Sequence, residues 1–126
     1  MPIIAALLLG AAQASEAATL IVFRDYAEPV LFAPTLVVDG TAVGKLGQKR
    51  LISLPLPSGP HRIELRWPML ATQPPARATV ILRAGSRHYL ELSAAAAVGT
   101  TRGRSALIEH GAEAGEQAAG CCRPAE

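Results

Sequence analysis

Thr35-Leu36-Val37-Val38-Asp39-Gly40-Thr41-Ala42-Val43-Gly44 decides the fold. Two short runs rich in Val and Thr, without helical spacing, flank an Asp-Gly pair. Asp-Gly accepts positive φ at both positions, as a type I′ turn requires, and that turn has the twist of a hairpin. The stretch predicts antiparallel strands at 35–38 and 41–44, with Asp39 and Gly40 as turn-forming residues. Arg50 to Leu56 reads as a further strand, closed by Pro55, Pro57, Ser58-Gly59 and Pro60. Proline cannot donate to a ladder, so this end is expected at an edge or a turn, with Ser58 and Gly59 forming it. Arg62 to Trp67 then alternates strictly. Ile63, Leu65 and Trp67 face one way and Arg62, Glu64 and Arg66 the other, the pattern of an antiparallel strand with one wet face.

The same period of two extends in both directions. Thr19-Leu20-Ile21-Val22-Phe23-Arg24 is a β-branched run that stops at Asp25, before a loop holding Pro29 and Pro34. Met69 to Ala76, with Pro74-Pro75, reads as a loop. Thr79 to Arg83 and Arg87 to Leu92 are expected to pair as a second hairpin through Ala84-Gly85-Ser86, with Gly85 turning. Ser105 to Glu109 can add one more strand. Ala112 to Ala119 has helix-forming Ala, Glu and Gln around a destabilising Gly115, and is short enough to need docking. Strands about ten residues apart, with turn chemistry between them, point to a sandwich or barrel rather than a parallel sheet. The expected fold is all-β: one antiparallel β-sandwich of seven or eight short strands with a short C-terminal helix. Its core is expected from Leu20, Val22, Leu36, Val38, Leu54 and Ile63, continued by Leu65, Trp67, Val80, Leu82, Leu90 and Leu92.

Composition narrows the function. The 126 residues suit one domain, and 50% are hydrophobic, which argues against a disordered chain. Twelve Lys and Arg against ten Asp and Glu give a net charge of +2, too balanced for binding nucleic acid through its phosphates. No apolar run approaches the roughly 20 residues of a membrane span. Ile3 to Ala12 is instead the apolar stretch of a secretory signal, with Ala12-Gln13-Ala14 as its cleavage box. The expected organisation is a signal peptide over 1–14, a linker over 15–18, the sandwich over 19–110, and a short helix with a flexible Cys-containing tail over 111–126. The mature chain is expected in the periplasm or outside the cell.

Chemistry-bearing constellations are sparse. A Ser53–His88–Asp25 triad lacks any nucleophile-elbow context. His61, His88 and His110 have no spacing that places two on one face for a metal, so no metal or cofactor is expected. His61 reads as a turn residue and His88 as an amphipathic strand residue. Arg62 and Arg66 share a strand face, and Arg102 and Arg104, in a flexible loop, are candidate anion contacts. Cys121 and Cys122 are the disulfide candidates. In an oxidising compartment they are expected to bridge two chains or to close on each other, although adjacent Cα atoms lie nearer than the usual 4.4–6.8 Å of a disulfide.

Val37-Val38-Asp39-Gly40 with Val43-Gly44, Leu54-Pro55, Pro57-Ser58-Gly59-Pro60-His61-Arg62-Ile63, and Gly85 with His88-Tyr89 together resemble the bacterial family catalogued as domain of unknown function 2846. Ala106-Leu107-Ile108-Glu109 resembles its closing segment, and the likeness spans roughly residues 19 to 119. Thr100 to Arg104 departs from the family's glycine- and aromatic-rich loop, and Asp25 stands where a proline is common. The resemblance implies an extracytoplasmic immunoglobulin-like or transthyretin-like β-sandwich with no catalytic residues. The expected function is a non-enzymatic exported envelope module that binds or spaces an envelope protein or polysaccharide through loops or a strand edge. The alternatives are a thiol-dependent role of the Cys pair, as a disulfide tether or redox group, and a small hydrolase with an unrecognised site.

Overall fold

A computed structural model describes residues 17–125, so the expected signal segment and the first half of the linker lie outside the described residues. The strands are β1 (Ala18–Arg24), β2 (Thr35–Val38), β3 (Thr41–Lys45), β4 (Arg50–Leu56), β5 (Gly59–Arg66), β6 (Ala76–Leu82), β7 (Arg87–Ala95), β8 (Arg104–His110) and β9 (Arg123–Pro124). One helix, α1 (Ala112–Ala119), falls where the Ala, Glu and Gln pattern places it. Two sheets face each other, a five-stranded one in the order β8-β7-β1-β4-β9 and a four-stranded one in the order β3-β2-β5-β6.

The four-stranded sheet is antiparallel throughout, with the β2–β3 and β5–β6 pairs joined by the pairing of β2 with β5, and it follows its sequence signals closely. Asp39 and Gly40 take φ of 50° and 86°, as a type I′ turn requires, and Val38 pairs with Thr41. Ile63, Leu65 and Trp67 are buried, whereas Arg62 and Arg66 are exposed. Of the expected core residues all are buried except Leu54, which is partly buried against them.

Two expectations are corrected in the five-stranded sheet. The segments 79–83 and 87–92 do not form a hairpin. β6 stays with β5 in one sheet, while β7 crosses to the other and pairs in parallel with β1, Leu20 beside His88 and Val22 beside Leu90. The sheet is therefore mixed rather than antiparallel, and the ninth strand raises the count above eight. The cause lies in β1, which is buried on both faces. Leu20 and Val22 face the sandwich interior, whereas Ile21 and Phe23 face away from it, into a second cluster with Tyr89 and Ala119. A strand covered on both sides reads as an unbroken apolar run, and Leu20 to Phe23 is one.

Helix α1 supplies that second cover. Its Gly115 sits against Tyr89, where an added Cβ would lie 2.5 Å from the Tyr89 Cβ, so the glycine is required by close approach. The segment expected as a flexible tail instead runs beside β4. Arg123 pairs with Arg50 and Pro124 with Leu51, and the Arg123 and Ala125 amides donate to Lys49 O and Leu51 O.

Gly115→Ala raises intrinsic helix propensity by up to about 1 kcal/mol, yet overpacking against the Tyr89 ring should cost about 1–3 kcal/mol. The expected net result is a lower unfolding midpoint in thermal denaturation. A raised midpoint would mean that α1 does not dock on Tyr89.

Candidate functional site

Arg24 ends β1 on the same face as Leu20 and Val22, so its side chain enters the end of the sandwich rather than solvent. It is 0% exposed. Its Nη1 donates to Phe32 O at 2.8 Å and Leu46 O at 2.9 Å, and its Nη2 to Ala27 O at 2.8 Å and Pro29 O at 3.1 Å. The guanidinium carbon lies 5.2 Å from the centre of the Trp67 ring, a cation–π distance. Burial holds the Arg24 pKa below the ordinary guanidinium value. All four acceptors are main-chain carbonyls, three of them in the connection from β1 to β2. One planar fork thus fixes the path of the 25–34 loop.

Two neighbouring loops are locked to this one. Glu28 donates its amide to Ala94 O, and its carboxylate accepts the Ala96 amide at 3.2 Å. Gln73 Nε2 donates to Ala95 O at 3.0 Å and to Arg104 O at 2.7 Å, and Trp67 Nε1 donates to Ser105 Oγ at 3.0 Å. Loops 25–34, 67–75 and 96–103 therefore form one end of the molecule. On it stand Met69 at 92% exposure, Leu31 at 91%, Leu70 at 85% and Val98 at 72%. Tyr26 and Val30 are exposed there too, so this end holds six of the nine exposed large hydrophobic residues among those described.

Arg102 and Arg104, the candidate anion contacts, are both exposed on this same end. Lys45, Lys49 and Arg66 lie at the strand ends around it and are also exposed. Its carboxylates already have partners: Asp25 pairs with Lys49, and Glu28 holds the Ala96 amide and the Tyr26 hydroxyl. Sequence reasoning found the arginines but missed Arg24 and the apolar tips. The signal was present in Leu31 and Met69-Leu70, large apolar residues inside proline-bracketed loops where polar residues are the rule.

The other expected sites resolve differently. Asp39 and Gly40 turn as expected, and Gly59 and Gly85 have positive φ in the turns assigned to them, with Ser58 exposed beside Gly59. Asp39 does more than turn. Its Oδ1 accepts the Arg62 amide at 2.8 Å and its Oδ2 lies 2.6 Å from His61 Nδ1, while His61 Nε2 lies 2.7 Å from Pro57 O. With an acceptor beside each ring nitrogen the charged form of His61 is favoured, and the hydrogen bond to Asp39 raises its pKa above the usual value. The hydrogen bond from His61, then that from the Arg62 amide, holds Asp39 below the carboxylate norm.

On the outer face of the four-stranded sheet, Arg62, Arg66 and Arg77 line a depression of about 430 Å³. Burial would raise the Glu64 pKa there, but hydrogen bonds from Arg66 and Arg77 at 2.8 and 3.0 Å hold it lowered. Two of the three arginines are thus already engaged.

The hydrolase triad imagined from the sequence is not assembled. Asp25 follows the end of β1, whereas His88 pairs with Leu20 near its start. The structure instead puts Ser86 Oγ 2.8 Å from His88 Nε2, and Glu109 3.8 Å from His88 Nδ1. That order resembles a triad, but the turn uses the serine hydroxyl proton and the imidazole lone pair. Ser86 Oγ donates to Arg83 O at 2.6 Å, and His88 Nε2 accepts the Arg83 amide at 3.0 Å. Neither a free hydroxyl proton nor a free base remains. Among the described residues no group of three His, Cys, Asp or Glu side chains is placed to hold a metal. Cys121 and Cys122 are bonded to each other, part-buried in the cluster of Ile21 and Phe23. Comparison with protein-family models, curated proteins and solved structures finds no match to this chain.

Arg24→Met should leave several carbonyls without a donor, at about 1–3 kcal/mol for each that water cannot reach. The expected result is a loss of stability on the order of 3 kcal/mol or more, with new proteolytic cleavage inside 25–34; an unchanged cleavage pattern would show that the fork does not hold the loop. For the Asp39–His61 pair the signs run oppositely. The raised His61 value stabilises below pH 6.5, a contribution lost as pH rises through the folded-state pKa, and the lowered Asp39 value stabilises above pH 3.8. Thermal stability should therefore decline, as pH rises above 6.5 and through the raised folded-state value, more in the parent than in His61→Gln. Parallel profiles would exclude the pair as the cause.

Proposed function

We propose that this chain is a non-enzymatic module of the cell envelope, exported and cleaved after Ala14, which binds another envelope component through its loop-bearing end. One observation carries the reading: the most exposed apolar side chains stand on three loops of one end, two of them tied to the facing ends of β7 and β8 by Glu28 and Gln73, with a buried arginine beneath. Single exposed apolar side chains are ordinary, but their concentration on one end marks an interaction site, and six of the nine among the described residues gather here. The use of the Ser86 hydroxyl proton and the His88 Nε2 lone pair by their own turn supports the non-enzymatic part, in preference to a small hydrolase. The closed, part-buried Cys121–Cys122 pair supports a local structural role for these residues over a tether to a second chain. The resemblance to the domain of unknown function 2846 family, and the immunoglobulin-like or transthyretin-like form it implies, belong to this same reading.

Two measurements test it together. Mass spectrometry of protein from intact cells should find a mature N-terminus at Ser15, and photo-crosslinking from position 31 or 70 should capture an envelope component. An intact Met1 on cytoplasmic protein would overturn the export. Turnover of an ester or cell-wall substrate that Ser86→Ala abolishes would overturn the rest.

A further inference from the structure

We infer that the component covering the loop-bearing end is the surface of an anionic lipid bilayer. In this arrangement Leu31, Met69, Leu70 and Val98 enter the boundary between headgroups and acyl chains, and Arg102 and Arg104 lie against lipid phosphates. The inference rests on the proposed use of this end and goes further by naming what it meets.

Shape favours lipid over a folded partner. The four tips project from three separate loops at 72–92% exposure, and none of them lines the depressions found elsewhere on the surface. A protein partner would need a matching pocket for each tip. A bilayer interface is deformable and takes separated apolar projections without such complementarity.

Charge favours an anionic surface. Lys45, Arg102 and Arg104 are exposed around the tips, whereas Lys49 and Arg66 at the same end are paired with Asp25 and Glu64. The charge of Asp25 is matched by Lys49, which leaves Glu28, bonded to the Ala96 amide and the Tyr26 hydroxyl, as the carboxylate set against these three cations. Basic side chains beside an apolar insertion supply the electrostatic half of peripheral membrane binding. The loops also need no ordering on contact, because Arg24, Gln73 and Glu28 already fix them, so contact energy is not spent on immobilising them. No helix among the described residues is long and apolar enough to cross a membrane, so this end would rest on the bilayer rather than span it.

The test is co-sedimentation of the mature chain with vesicles of phosphatidylcholine alone and of phosphatidylcholine with phosphatidylglycerol in equal parts. Binding is expected to the anionic vesicles and to weaken with salt. Leu31→Ser with Leu70→Ser, both at exposed positions, should keep the parent's unfolding midpoint and lose about tenfold or more in vesicle affinity. Arg102→Glu with Arg104→Glu should abolish the preference for phosphatidylglycerol. The inference is overturned if the parent stays in the supernatant with both vesicles, or if the Leu variant binds as the parent does. If vesicles are not bound while crosslinking from position 31 captures an envelope protein, the lipid inference fails and the proposed function stands. If neither vesicles nor any envelope component is bound, both fail.

Discussion

A guanidinium taken wholly out of water needs acceptors for its donors, and at Arg24, where both Nη groups are met and Nε is not, this requirement organises one end of the molecule. Arginine suits the position because its fork is planar and keeps its charge, so one side chain can gather four carbonyls from two segments in fixed directions. Lysine has three donors on a flexible stem and could not hold the same set. The Trp67 ring closes one side of the site and is itself tied to Ser105, so the β1–β2 loop, the end of β5 and the start of β8 share one anchor. The exposed apolar tips can stand away from the core because the chain beneath them is held by polar bonds rather than by burial of the tips.

The opposite end is organised on a smaller scale by the same principle. There a carboxylate and an imidazole tie the β2–β3 turn to β5 and to the turn before it. In both places a titratable side chain settles where a loop runs by satisfying main-chain groups. The Ser86–His88 turn is a third case.

Elements whose partners are near in sequence were legible from residue types alone. The Asp39-Gly40 turn, the alternation from Ile63 to Trp67 and the short helix all appear where their signals lie. What was not legible was long-range. The hairpin signal of 79–92 is real as a turn, with Gly85 at positive φ. It could not reveal that β7 leaves its neighbour to satisfy the open side of β1. Similarly, Arg24 at the end of an apolar run looks like a strand terminus meeting water, and only the path of the following loop turns it inward. The apolar tips were hidden by the opposite bias, since loop residues are assumed to be wetted and unremarkable. Arg102 and Arg104 were legible as charges, but their companions were not.

The parallel pairing of β1 with β7 also sets an order of assembly. All of the four-stranded sheet, together with β4, lies in the chain between these two strands, so joining them closes a long loop whose entropy must be offset before the contact gives any return. The β2–β3 and β5–β6 pairs can form from neighbours in sequence, but β1 can complete its ladder only after β7 has been made. Until then the Leu20 to Phe23 run, with both of its faces destined for burial, remains without its final cover. Such a segment is where a chain emerging into a crowded compartment is most open to association with other unfolded chains, and where a chaperone would have most reason to bind.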